Sequence, residues 1–229
     1  MSVDARSAIT LSIEVAAAST LLSAPPAIAL GWLLARRRFF GKTMVSALVL
    51  APMVLPPVVT GLLLLDVFGR SAPLGKWLAD HGMPLSFSLA GAVLAALVVG
   101  LPLHVMAART AFEVVDRRYE EVSRTLGVSR ARTFLRVTLP LALPGLAGGA
   151  VLAFARALGE FGATVVLAGN DEGKTRTIAL AVYSLLDDPK GEAAARALVV
   201  ASALLSVAAL AGYELFNRWQ RRRLELDHV

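Results

Sequence analysis

The sequence predicts an all-α membrane protein of about five transmembrane helices, and three observations predict it. Charged residues make up 17% of the chain and hydrophobic ones 56%, where a soluble domain carries about 25% charged residues. The apolar residues gather into runs long enough to cross a bilayer, which takes about 20 residues of helix. Lysine and arginine fall in the gaps between runs, and three segments hold 15 of the 23.

The runs are roughly 10–35, 43–68, 87–108, 141–167 and 194–217. Glu14 and Asp66 lie near expected ends, where they reach the interface. The first run is too long for a secretory signal, carries Asp4 and Glu14 at its front, and is followed by Arg36-Arg37-Arg38. Residues 36–42 hold four basic residues, 109–136 hold seven and the tail from Arg218 to Arg223 holds four. Five spans with the amino terminus outside put all three segments on one face, which the positive-inside rule makes cytoplasmic. The expectation is a multi-pass protein of the plasma (inner) membrane with its carboxyl terminus in the cytoplasm. The formal charge of +6 is then topology, and nucleic-acid binding is not expected. The chain ends within about twelve residues of the fifth run, so a single membrane domain with no appended cytoplasmic domain is expected.

The outward connections are rich in turn formers. Residues 69–86 contain Gly69, Pro73, Gly75, Gly82 and Pro84. Residues 168–193 begin with Gly169-Asn170-Asp171-Glu172-Gly173, continue through Ile178, Leu180, Val182 and Leu186, and stop at Asp187-Asp188-Pro189. That apolar piece is too short to cross and reads as a short outer re-entrant helix packed on protein. Prolines inside the runs (Pro25-Pro26, Pro52, Pro56-Pro57, Pro102, Pro144) suit either ordinary membrane-helix packing or deliberate bends.

The inner connection 109–140 reads as two short helices. Tyr119, Val122 and Leu126 recur at spacings of three and four, one apolar stripe. Gly127 suits a left-handed helix end, Ser129 a cap for the next helix, and Phe134, Leu135 and Val137 that helix's apolar face. Leu139-Pro140 opens the fourth span. Such an arginine-rich amphipathic hairpin fits lipid headgroups or the groove of a partner.

Catalytic machinery is not apparent. The chain has no cysteine, and His81, His104 and His228 are scattered, so no local metal cluster is expected. Residues 168–175 approach a phosphate loop, but Ala168 stands at the first glycine, and Asp171 and Glu172 would repel phosphate. Within the fourth span Arg156 and Glu160 are spaced i, i+4 on one face. They either form an internal ion pair that locks helices together or border a conduit where Arg156 helps an anion pass. Gly145 and Gly149, widened by Gly148 and Ala150, form a small-residue step for a helix–helix contact, with a homodimer axis as one place for it. An intramembrane enzyme would have only Arg156 and Glu160 to work with, and a mere scaffold would leave the hairpin unexplained.

Glu121-Val122-Ser123, Gly127 after three more residues, and Val137-Thr138-Leu139-Pro140 after nine resemble the EAA loop of type I ABC import permeases. Val122 and Ser123 replace that pattern's two alanines, and Val137 its isoleucine. The resemblance implies a type I ABC importer permease fold in which this loop is the coupling helix that docks on a cytoplasmic ATPase subunit. By position, Glu121, Gly127, Leu139 and Pro140 would belong to the docking element. Arg124, Arg130 and Arg132 would make charge contacts with the partner, or be solvated or lipid-facing charge. The run Ala51-Pro52-Met53-Val54-Leu55-Pro56-Pro57-Val58-Val59-Thr60-Gly61, the run from Ala155 to Thr164, and Thr175-Arg176-Thr177-Ile178 are similar to molybdate permease subunits. Sulfate permeases share the Gly-Glu-aromatic-Gly pattern. The resemblance thus implies an importer of molybdate or tungstate, with a sulfate-type oxyanion as the alternative. It also implies a homodimer with two ATPase subunits that bind ATP and magnesium and supply the hydrolysis, and a periplasmic molybdate-binding protein, with no cofactor held by this chain itself. Arg156, Gly159, Glu160, Phe161 and Thr164 become candidates for the pathway and Tyr183 for an outer gate.

Overall fold

The structure is a computed structural model that describes residues 4–186 and 191–226. No strand occurs among the described residues. The helices are α1 (Ala5–Arg36), α2 (Lys42–Val54), α3 (Pro57–Phe68), α4 (Pro73–Asp80), α5 (Leu89–Val114), α6 (Arg117–Thr125), α7 (Arg130–Thr133), α8 (Leu139–Leu158), α9 (Gly162–Ala168), α10 (Ile178–Leu186) and α11 (Glu192–Leu226), with a π-helical turn (Phe134–Thr138) between α7 and α8. By length and composition, α1, α5, the continuous run from Arg130 to Leu158 and α11 can each cross a membrane. The α2–α3 pair is a fifth candidate if taken as one broken span.

Helix starts follow local chemistry. Asp4 caps α1 by accepting from the amides of Arg6 and Ser7, and Ser88 caps α5 by accepting from Gly91. These side chains satisfy amides that no helical carbonyl reaches. In α5 the buried set Ala92, Ala95, Ala96, Val99, Val105 and Ala108 is built of small or slender residues. Helices therefore approach α5 closely on two sides. A β-carbon placed on Gly31 of α1 would fall 2.7 Å from that of Ala108. On Gly145 and Gly149 of α8 it would fall 2.6 Å and 2.7 Å from those of Ala111 and Ala107. The Gly145–Gly149 step is thus occupied within the chain by α5, while Gly148 makes room for the Tyr213 hydroxyl of α11. Ser23 of α1 donates to the Thr20 carbonyl at 3.0 Å and so accepts from His104 Nδ1 of α5 at 2.9 Å. That bond joins two fully buried side chains.

Two expected spans differ. The run 43–68 is two helices meeting at 110°. Pro56 and Pro57 each force the residue before them out of helical geometry, and Leu55 and Pro56 are accordingly extended. The run 141–167 ends as α8 at Leu158 and restarts as α9 at Gly162. Prolines 25, 26, 52, 102 and 144, by contrast, lie within helices that continue through them. The third span runs on to Val114, so Arg109 belongs to α5 and the hairpin starts later than residue 109.

α10 forms where the sequence places a short outer helix. Ile178, Ala181 and Leu185 pack against Ala8 of α1 and Leu198 of α11, while the expected stop at Asp187-Asp188-Pro189 lies outside the described residues. Because the α5–α8 contact is at backbone distance, Gly145→Val is expected to cost about 1–3 kcal/mol through overpacking. A lowered melting temperature of the detergent-solubilised protein checks this; an unchanged one would contradict the close contact.

Candidate functional site

Two regions carry the residues singled out above. The first is the hairpin. Asp116 caps α6 by accepting from the Arg118 amide at 2.9 Å. The helix ends at Thr125, and Gly127 just beyond it has a φ of +78°, which glycine adopts without strain. The Gly127 and Val128 amides turn back to the Arg124 and Ser123 carbonyls. Ser123 Oγ meets Thr133 Oγ1 at 3.0 Å, both buried, and pins α6 to α7. Ser129 stands at the start of α7, but its side chain makes no capping hydrogen bond there. The π-helical turn then leads into Leu139-Pro140. Pro140 has no amide to donate and crowds the carbonyl four residues back, and the wider turn takes up that crowding. Phe134 at this turn lies edge-on to Trp32 at 5.6 Å, whereas Leu135 is exposed.

The apolar stripe on α6 is uncovered. Tyr119, Val122 and Leu126 are 58%, 58% and 77% exposed. Glu121, Arg124, Arg130 and Arg132 are exposed as well. Glu121, Arg124 and Arg130 border a cavity of about 680 Å³ between the hairpin and the end of α1. Spacing alone did not reveal the residues that fix α6 in place. Arg36 of α1, with only 6% of its side chain exposed, lies 3.1 Å from Glu120 Oε1, which also accepts from Thr138 Oγ1 at 3.1 Å. Arg36 further donates to the Val115 carbonyl at 2.7 Å. In the sequence Arg36 is one of three consecutive arginines and carries no mark of its own.

The second region is the break between α8 and α9. Arg156 and Glu160 do pair, at 2.8 Å, but Glu160 lies beyond the end of α8. Its carboxylate, 2% exposed, also accepts from the Ala163 amide at 3.0 Å and so caps α9. The Arg156 side chain is 36% exposed, which leaves part of its guanidinium open. Phe161 packs against Tyr183 with ring centroids 5.1 Å apart and the rings tilted by 49°. Both border an apolar cavity of about 530 Å³ with Gly159. The break therefore brings Arg156, Gly159, Glu160, Phe161 and Tyr183 together. Thr164 is buried on α9, and its hydroxyl has no hydrogen-bond partner. α9 is clamped to α3, since a β-carbon on Gly162 would fall 2.9 Å from that of Pro57, and one on Gly61 2.9 Å from Ala163 Cα.

The segment that approaches a phosphate loop is a closed turn. The amides of Lys174, Thr175 and Arg176 all converge on the Asp171 carbonyl, and Arg176 Nε donates to Asn170 Oδ1 at 2.9 Å. Those amides are unavailable to a phosphate. No group of metal-ligating side chains occurs among the described residues.

Removing the Glu160 carboxylate takes away both a helix cap and the partner of Arg156. Glu160→Ala is expected to destabilise the protein by about 1–2 kcal/mol, the partly open Arg156 limiting the cost. Glu160→Gln, which can still cap, is expected to lose less, and thermal unfolding in detergent separates the two.

The comparisons with known proteins agree with this architecture. The pattern of the family described as binding-protein-dependent transport system inner membrane component matches residues 27–223. The molybdenum transport system permease protein ModB of Haemophilus influenzae is 44% identical over 96% of this chain and 94% of its own. That of Escherichia coli K12 is 46% identical over 94% and 95%. The sulfate transport system permease protein CysT of Escherichia coli K12 is 36% identical over 77% of this chain and 65% of its own. Among solved structures, a chain of a bacterial ABC transporter involved in alginate import aligns with a TM-score of 0.73 at 17% identity, covering 93% of this chain and 78% of that one. The MetNI methionine ABC transporter in an inward-facing form aligns with a TM-score of 0.70 at 16% identity, covering 92% and 93%. The fold is that of an ABC importer permease, and the chain belongs to the binding-protein-dependent transport system inner membrane components.

Proposed function

We propose that the chain is the membrane-spanning subunit of an ATP-driven importer of molybdate or tungstate. It works as a homodimer with two cytoplasmic ATPase subunits that bind ATP and magnesium, and it receives the anion from a periplasmic binding protein. The observation that carries the reading is the hairpin. α6 is held rigidly on its inner side by Ser123 and Glu120 while its apolar stripe stands free. An uncovered apolar stripe on a fixed, arginine-flanked helix fits the groove of a protein partner. In the proposed orientation this hairpin lies in the cytoplasm, where the basic residues concentrate. Glu121, Gly127, Leu139 and Pro140 shape the docking element, and Arg124, Arg130 and Arg132 offer charge to the ATPase.

The substrate reading is supported by the two relatives named as molybdenum permeases. At the α8–α9 break, Arg156 offers a partly open guanidinium whose charge is balanced by Glu160. A balanced cation can solvate a passing dianion without trapping it, and a charge at membrane depth needs such a partner. Gly159 and Phe161 line the same stretch of the pathway with Thr164 buried behind them on α9, and Tyr183 stands over Phe161 as an outer gate. The CysT relative supports a sulfate-type anion as the second reading.

Radiolabelled molybdate uptake by the reconstituted complex tests the substrate. Excess tungstate is expected to abolish uptake and excess sulfate to leave most of it, whereas equal competition by sulfate would favour the second reading. Arg156→Ala is expected to insert normally and lose uptake by about tenfold or more, the scale of one charged contact in a dry site. Normal uptake by that variant would remove Arg156 from the pathway.

A further inference from the structure

The cavity of about 680 Å³ separates α6 from the end of α1, with Trp32 and Leu33 on one wall and Glu121, Arg124 and Arg130 on the other. Across a space of that size, packing does not carry a push or a pull, because force between elements passes through contiguous contacts. What spans it is a side-chain bridge. Glu120 of α6 meets Arg36 of α1 at 3.1 Å and Thr138, at the foot of α8, at 3.1 Å. Arg36 in turn holds the Val115 carbonyl, directly after α5, at 2.7 Å. The ends of three spans thus meet on one carboxylate and one guanidinium. Arg36 is nearly buried, and Glu120 is 22% exposed. The charge-assisted hydrogen bonds here are those of Arg36 to the Val115 carbonyl and of Thr138 to Glu120, while Arg36 Nε and Glu120 attract as an ion pair without hydrogen-bond alignment. Contacts sheltered in this way are stronger than exposed ones.

We propose that Glu120 and Arg36 are a positioning pair that transmits movement of the hairpin to α1 and α5. This rests on the importer reading above and assigns Glu120 a task different from that of its neighbour Glu121. Glu121 is exposed and borders the cavity without a partner on α1, whereas Glu120 is held by Arg36 and Thr138. Without the pair, α6 remains attached to α7 through Ser123–Thr133 and to the π-helical turn through the backbone. ATPase movement would then reach α1 only indirectly, by way of α8 and the Trp32–Phe134 contact.

The test uses the full complex in proteoliposomes with Glu120→Gln, Arg36→Gln and the double variant. Three quantities are measured: affinity of the ATPase for the permease, ATP hydrolysis, and anion taken up per ATP hydrolysed. Each single variant is expected to lower uptake per ATP about tenfold, with affinity and hydrolysis little changed, as befits loss of one partner of a sheltered charge pair. The double variant is expected to be no worse than the poorer single, because both act through one contact. Unchanged uptake per ATP in Glu120→Gln would overturn the proposal. So would weakened ATPase affinity in Glu120→Gln alone, which would place Glu120 at the docking surface. Failure of the unmodified complex to import would instead remove the importer reading. Hydrogen exchange on the isolated chain then decides the joint by itself: faster exchange across residues 117–126 in both single variants supports it, and unchanged exchange removes it.

Discussion

Close approach of α5 to both α1 and α8 is the constraint on which the rest depends. Lipid tails are as apolar as leucine, so helices in a bilayer gain little from hiding apolar surface and associate mainly through tight packing and hydrogen bonds. Here Gly31, Gly145 and Gly149 bring two helix backbones onto the alanine face of α5, and the Ser23–His104 bond ties α1 to it from within. The same helices end together at Arg36, Val115 and Thr138. Their shared packing delivers the points to which the hairpin is fastened, so the position of α6 is a consequence of glycines far along the bundle.

At the other region, geometry follows from interruptions of helix. A continuous fourth span would have placed Arg156 and Glu160 as an ordinary i, i+4 pair on a helix surface. Ending α8 at Leu158 turns Glu160 into the cap of a second helix, so one carboxylate both neutralises Arg156 and sets the direction of α9. α9 is then gripped by α3, which can reach it because the preceding chain is bent by 110°. The bend and the break are complementary. Each exposes backbone that a straight helix would have covered, and each is closed by the other through Gly61, Gly162 and Pro57.

Much of this was legible in the residues and some was not. The hairpin was, because a 3.6-residue apolar rhythm, a glycine at the turn and a proline at the next helix are local signals, and α6, Gly127 and Pro140 stand where those signals placed them. α10 was legible for the same reason. The bend at Pro56 and Pro57 was less so, since the other prolines of the runs, the consecutive Pro25-Pro26 included, sit within uninterrupted helices, and nothing local separates the pair that breaks a helix from the pair that does not. The end of α8 carried no breaker beyond Gly159, and hydropathy runs straight across it. The Gly145–Gly149 step announced a close contact but not its partner, which is α5. Arg36 and Glu120 are far apart in sequence, and nothing in either neighbourhood marks the pair. Their meeting depends on where three helices end.

The central claim is that α6 is a rigid handle on the cytoplasmic side, gripped by a separate ATPase. The chain contains no cysteine, so a single introduced thiol reports without background. Leu126→Cys, at the most exposed position of the apolar stripe, is treated with a membrane-impermeant maleimide. The account predicts labelling in inverted membrane vesicles, none in intact cells, and protection when the ATPase subunit is added. Labelling from outside intact cells, or labelling of inverted vesicles that the ATPase does not diminish, would contradict it.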